Sequence, residues 1–152
     1  MAILADGRVH STEVVASGAV TLDYEVEKAQ IGLPYTWQFE TLKLPFGTQA
    51  GSGVGKVKSL PHVGLVLHDC GEFSVGTVTY DREEGRKVWP MQDISFLRDG
   101  LALDEATPLF VGEVHVAVDG AARRDVRLYM EGDDPLPFTC LALIPQMMAN
   151  EK

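Results

Sequence analysis

The sequence predicts an all-β fold: a compact antiparallel β-sandwich or barrel with many short strands and hairpins. Three observations carry this expectation. Apolar residues recur with a period of two through most of the chain, as they do where a strand buries one face. Asp-Gly and Ser-Gly pairs separate these runs, where glycine supplies the positive φ of tight turns. No window of ten residues joins helical periodicity to a cap and a stop. The expected architecture has about eight to ten strands. It forms a single β domain over 1–147, with 148–152 as a C-terminal tail.

The elements follow in order. Asp6-Gly7 and Ser17-Gly18 mark the first two hairpin turns. The run AVTLDYEV (19–26) places Val20, Leu22, Tyr24 and Val26 on one face, predicting a half-buried strand. In YTWQFETLKL (35–44), Tyr35, Trp37 and Phe39 share a face before the apolar parity flips to Leu42 and Leu44. Such a flip predicts a bulge or sharp twist near Glu40-Thr41. Val63, Leu65 and Leu67 alternate, as do Val114, Val116 and Val118, and then Val126, Leu128 and Met130. The charged segment DREEGRK (81–87) reads as a solvated loop tip. The stretch MQDISFLRDG (91–100) has room for one helical turn, with Asp93 as cap and Gly100 as terminator. Asp119-Gly120 marks a further hairpin, and the continuously apolar FTCLALI (138–144) predicts a strand covered on both sides. The eight prolines are expected at strand ends or edges, since each removes a ladder donor.

Composition narrows the function. The chain has 152 residues, of which 45% are hydrophobic and 23% charged, as in an ordinary globular domain. A net charge of −9 argues against a protein that grips nucleic-acid phosphates with a surplus of Lys and Arg. Two cysteines, Cys70 and Cys140, are too few for a disulfide framework and read as small buried residues in a chain folded in a reducing cytosol. The apolar start MAIL gives way at once to Ala5-Asp6-Gly7, too short for a signal-peptide core. No membrane-spanning segment is expected.

The chemical motifs weaken on inspection. QAGSGVGKVKSL (49–60) has the glycine density of a phosphate-binding loop. That loop needs Gly, four residues, then Gly-Lys and a hydroxyl residue. Counting back from Gly55-Lys56, Ala50 occupies the first glycine position and Val57 stands in place of Ser or Thr. No helix pattern follows to present N-terminal amides to an anion. Gly51, Ser52, Gly53 and Val54 therefore read as an exposed projecting loop, a candidate interface. His62 and His68 share a face of an extended strand but sit roughly 20 Å apart, too far to hold one ion. His10 and His115 have no partners nearby in sequence. Cys140 lies in the most apolar segment and Cys70 beside acids, so neither setting favours a thiolate. Acid pairs at Glu83-Glu84, Asp104-Glu105 and Asp133-Asp134 read as solvated loop ends, and ARRDVR (122–127) as a basic cluster partly offset by Asp125. No catalytic, cofactor-binding or metal-ligating set emerges, and no enzyme is expected.

The order of segments says more than any one motif. LADGRVH, VVASGAVTL, QIGLPYTWQFETLKL, the glycine loop ending GKVK, HVGLVLHDCGEFSVG, PLFVGEV and DDPLPFTCLALIP follow at short intervals from about residue 3 to residue 145. This succession resembles the C-terminal region of the tail nozzle (tail tubular or stabilization) proteins of short-tailed bacteriophages and related prophages. The most telling positions are Gly32, Leu33, Pro34 and Tyr35 after Ile31, the pair Gly55 and Lys56, and Asp133, Asp134, Pro135, Leu136, Pro137 and Phe138. Those relatives are several times longer and carry more basic residues after the glycine loop.

The resemblance implies a virion structural protein assembled in the host cytoplasm, with no cofactor and no catalytic residues. It also implies a homo-oligomeric ring, a hexamer in relatives. Such a ring meets other tail proteins (adaptor, nozzle, fibres) and passes genomic DNA during ejection without binding it tightly. An acidic wall suits that passage, because it repels phosphates instead of trading counterions for contacts. The alternative reading is a β-sandwich binding module that recognises a cell-surface glycan or receptor, with Tyr35 and Trp37 as a stacking platform.

Overall fold

The computed structural model describes residues 1–11, 13–44, 47–48, 51–52, 55–96, 105–120 and 122–149. These residues form thirteen strands and no helix. The first six are β1 (Ala2–Ala5), β2 (Arg8–His10), β3 (Ala29–Gly32), β4 (Trp37–Glu40), β5 (Gly47–Thr48) and β6 (Gly51–Ser52). Then come β7 (Lys58–Cys70), β8 (Phe73–Asp81), β9 (Gly85–Val88) and β10 (Gln92–Ile94). The chain closes with β11 (Phe110–Ala117), β12 (Val126–Gly132) and β13 (Cys140–Ala149). The all-β antiparallel architecture expected from the period of two is the one observed.

Two sheets enclose the main core. One has the order β11-β7-β13; the other has β10-β8-β12-β4, with β9 also pairing β8. β7 feeds β8 through a tight connection at 71–72, shortly after Asp69, near the end of β7, takes φ 50°. Gly71 is required there, because a Cβ would lie 2.5 Å from Cβ of Leu136. The alternation in the sequence decides which side chains meet. Val63, Leu65 and Leu67 of β7 face Val126, Leu128 and Met130 of β12, joined by Val75 and Val116. Each such side chain contributes about 1.5–3 kcal/mol by leaving water. Phe138 ties the layers together, 4.3 Å from Trp37 and 4.9 Å from Phe73 between ring centroids.

A smaller sheet, β2-β1-β3, is built from the N-terminal residues. Asp6 (φ 49°) and Gly7 (φ 82°) make the β1–β2 turn, as the Asp-Gly pair predicts. Ile3, Ala5 and His10 are its buried side chains. Among the described residues, β5 and β6 pair with each other.

Several expectations are corrected. Residues 19–26 form no strand, although Val20, Leu22, Tyr24 and Val26 are half-buried and the residues between them exposed. The nearby ladder is one bridge, Ala16 with Ala19, closed by the Ser17-Gly18 turn. The helical turn within 91–100 is instead strand β10, where Asp93 pairs with Ser74; residues 97–100 lie outside the described residues. The strand beginning at 35 ends its ladder at Glu40, the place of the parity flip, and Thr41 N–H still donates to the Leu128 carbonyl at 3.0 Å. The apolar run 138–144 is not covered on both sides. β13 is an edge strand, with Leu141 and Ile144 exposed.

Among the described residues, two prolines lie inside strands. Pro145 is on the edge strand β13, and Pro61 sits in β7 where the β13 register shifts between Gln146 and Met148. A bulge is where a missing donor is tolerated in a central strand. Gly120 lacks the positive φ expected of it; a Cβ there would lie 2.2 Å from the Thr77 hydroxyl, which donates to the Asp119 carbonyl at 2.6 Å. β13 continues to Ala149, taking in the first two residues of the expected tail.

Candidate functional site

The N-terminal sheet presents the first candidate surface. Asp6 organises it: its carboxylate accepts the Lys28 N–H at 2.7 Å and the Glu27 N–H at 3.0 Å. Its own N–H donates to the Lys28 carbonyl at 2.8 Å. The returning chain is thereby set in register, Ala5 opposite Ala29 and Ala2 opposite Gly32, and β3 becomes an outer strand. All residues from 29 to 36 are exposed. Ile31, Leu33 and Tyr35, at every second position, are 48%, 79% and 74% exposed.

These three side chains line a cleft of about 220 Å³ together with Leu4, Asp133 and Pro135. Two of the three telling motif segments, residues 31–35 and 133–135, thus meet at one place. Burial raises the Asp134 pKa, and the neighbouring charges of Asp133 and Glu72 push it in the same direction. The rest of the second segment serves the fold. Leu136 fills the space over Gly71, the Pro137 carbonyl accepts the Gly71 N–H at 2.9 Å, and Phe138 stacks in the core.

The third segment is not brought there. Gly55 (φ 87°) makes a turn before β7 begins, and Lys56 lies beside it. They sit beyond the far end of β7, roughly 40 Å along the strand from Gly71 at about 3.3 Å per residue. Gly51 and Ser52 are in β6, while Gly53 and Val54 lie outside the described residues. The buried lysine of this region is Lys58. Its ammonium donates to the Leu44 carbonyl at 2.7 Å, and its pKa is lowered by burial first and by Lys43 next.

A second apolar surface was missed by the sequence reading. Where β4 and β13 end their sheets, the two layers part and leave a groove of about 360 Å³ lined by Trp37, Phe39, Met130, Phe138, Leu141 and Leu143, among others. Phe39 is 42% and Leu141 62% exposed. The signal was present in the parity flip after Phe39 and the unbroken run around Leu141. An unbroken apolar run fits an edge strand beside a groove as well as a covered strand.

The outer face of the larger sheet is polar and internally paired. Glu40 accepts from the Tyr80 hydroxyl at 2.7 Å, Arg86 at 3.2 Å and Arg127 at 3.3 Å, tying β4 to β8, β9 and β12. Arg127 also pairs with Asp125 at 3.1 Å, which is the offset expected within the basic cluster. The Asp125 hydrogen bond is the main reason the Arg127 pKa is raised. The two guanidinium groups lie over tyrosine rings, Arg127 at 4.2 Å from Tyr80 and Arg86 at 5.3 Å from Tyr129.

Among the described residues, reactive groups do not converge. Burial raises the pKa of both the Cys70 and Cys140 thiols, which keeps them protonated at neutral pH. His10 is buried against Tyr24, with ring centroids 5.4 Å apart, and its Nδ1 lies 3.0 Å from the carbonyl oxygen of the adjacent Ser11, a near partner the sequence reading did not expect. Among the described residues, no group of three or more His, Cys, Asp or Glu is placed to hold a metal ion. Trp37 and Tyr35 do not form a platform: Trp37 packs on Phe138 while Tyr35 lies in the open cleft. Among the described residues, no helix is long and apolar enough to cross a membrane. Neither models of known families nor curated proteins match the chain.

Proposed function

We propose that this chain is a structural component of a short-tailed bacteriophage tail, in the nozzle or tube-tip region. It works by contacts between copies of itself, as a ring, and with other tail proteins, within the conduit for genome ejection. It performs no chemistry of its own, and its place is the virion. The observation that carries this reading is the meeting of two motif segments, Ile31–Leu33–Tyr35 and Asp133–Pro135, around one cleft with three large apolar side chains open to water. Exposed apolar surface of this kind is the usual mark of a protein contact. The net charge of −9 supports the conduit, since an acidic wall lets a phosphate backbone pass without gripping it.

Native mass spectrometry and negative-stain imaging of the purified chain test the reading. The expected result is a closed ring of copies that does not retain double-stranded DNA at physiological salt. A monomer at all concentrations that binds a sugar on a glycan array would replace it with the binding-module reading.

A further inference from the structure

The fold sets the two cysteines of the chain beside each other on adjacent strands. Alternation along β7 buries Val63, Leu65 and Leu67. Continued unbroken, it would turn Cys70 outward, since Cys70 follows Leu67 by an odd number of residues. Asp69 interrupts it. Its φ is 50°, the ladder to β11 shifts register between Phe110 and Gly112, and Cys70 returns to the core with Leu67. A residue other than glycine keeps such a backbone only where its surroundings enforce it. Cys140 stands opposite Leu67 on β13 and packs against the same core. The residue before Cys140 is held by the Cys70 thiol in both directions. The Thr139 N–H donates to Cys70 Sγ at 3.2 Å, and the thiol donates to the Thr139 carbonyl at 3.2 Å. With standard backbone dimensions, Cys70 Sγ lies within roughly 6 Å of the Cys140 Cα. The Cys140 side chain spans much of what remains, and its thiol is held by one long contact, to the Ala142 carbonyl at 3.4 Å.

We propose that Cys70 and Cys140 form a reversible disulfide, closed by a hydroperoxide, that locks the edge strand β13 to β7. Unequal access orders the steps. Cys140 lines the groove between β4 and β13, whereas Cys70 is fully buried behind it. The peroxide oxidises the Cys140 thiol to a sulfenic acid and is itself reduced to an alcohol, or to water where it is hydrogen peroxide. The Cys70 sulfur then attacks the Cys140 sulfur, and the sulfenic hydroxyl leaves with the Cys70 proton as water. Two thiols are oxidised by two electrons in all, and one peroxide takes them up. Burial is the main reason both thiol pKa values are raised, and at Cys140 the charge of a Cys70 thiolate adds to the rise. Thiolates are therefore scarce and the bond forms slowly, staying open where cellular reductants compete and closing where oxidant persists. The reaction changes the chain alone, acts on no substrate, and stands apart from the self-assembly reading above.

The reduced full-length chain is treated with a small excess of hydrogen peroxide, denatured, alkylated and examined by intact-mass and peptide mass spectrometry without reductant. The expected product is a single chain lighter by two hydrogens, with Cys70 linked to Cys140 and the link undone by dithiothreitol. Because the bond closes a long loop, its Tm should exceed that of the reduced chain by about 10 °C. With dimedone present, Cys70→Ser should take the label at Cys140, and Cys140→Ser should take at least about tenfold less at the buried Cys70. Both thiols alkylated after peroxide, or a link found only between different copies, would overturn the disulfide. A linked chain with an unchanged or lower Tm would overturn the lock, and preferential labelling of Cys70 would overturn the order of steps. The wild-type link and Tm decide without the serine variants should either fail to fold.

Discussion

Val63, Leu65 and Leu67 on β7 and Ile31, Leu33 and Tyr35, in β3 and the segment that follows it, share one rule, an apolar side chain at every second position, and end in opposite surroundings. The first three are buried between two sheets; the second three stand in water. The difference lies in what faces them. β7 is the middle strand of its sheet, with β12 across the core, whereas β3 is an outer strand whose four residues are all exposed. Alternation in a sequence states that a strand is two-faced. It does not state whether the chain itself supplies the cover.

The comparison can be broken most sharply at its buried end. Leu65→Ala is expected to lower the unfolding free energy by about 3 kcal/mol, since it opens a cavity where the layers meet. Leu33→Ala changes the stability of the isolated chain by less than about 0.5 kcal/mol, as at an exposed site. Urea denaturation below the assembly concentration measures both. Similar losses for the two would mean that the stripe is covered within the monomer.

The next effect falls at the turn between the layers. Gly71→Ala drives a methyl group to 2.5 Å from Leu136 Cβ and is expected to cost about 2 kcal/mol through overpacking. Thermal unfolding reads the loss, and Leu136→Ala in the same chain should recover part of it. No change from Gly71→Ala would mean that the turn has space the structure does not show.

A smaller change tests the polar outer face. Glu40→Gln removes two ion pairs whose side chains are partly open to water. The expected loss is about 1 kcal/mol at low salt, shrinking as ionic strength screens the charges. A loss independent of salt would place the role of Glu40 in its hydrogen bond from Tyr80 instead.

The last test addresses the acidic rim of the N-terminal cleft. The folded-state pKa of Asp134 is raised, chiefly by burial, so the folded chain favours its protonated form. Its contribution is present below the unfolded pKa of about 3.9 and is lost as pH rises through the folded value. Asp134→Asn should therefore be more stable than wild type at pH 7, with the difference vanishing below about pH 4. A difference of the opposite sign would mean that a cation holds the ionised carboxylate.

Much of the fold was legible because turn chemistry and alternation are local. Asp6-Gly7 and Ser17-Gly18 turn where the pairs stand, and the alternating runs at 63–67 and 126–130 lie in β7 and β12, while that at 114–118 lies in β11 up to its last residue, Val118, just past the strand. What failed depended on distant partners. Residues 19–26 alternate, but beyond the single Ala16–Ala19 bridge no strand among the described residues pairs with them. The apolar run at 138–144 forms an edge because sheet order is set by pairing with β7, which the run itself does not encode. His10 was expected to lack partners nearby in sequence, yet its Nδ1 lies 3.0 Å from the carbonyl oxygen of the adjacent Ser11, and it meets Tyr24, fourteen positions on, through the returning chain. The candidate surface was half legible. The motif positions Leu33 and Tyr35 were marked by resemblance, but the groove beside Leu141 arises from two sheet edges that lie a hundred residues apart.

Hydrogen–deuterium exchange of the intact chain over a hundredfold range of concentration tests the central claim most directly. Backbone amides of Leu33, Tyr35 and Thr36, which follow β3, should exchange fast when dilute and slow as copies associate, while β7 stays protected throughout. Exchange at these three residues that is equally slow at every concentration, or equally fast while assembly proceeds, would contradict a stripe covered by a second copy.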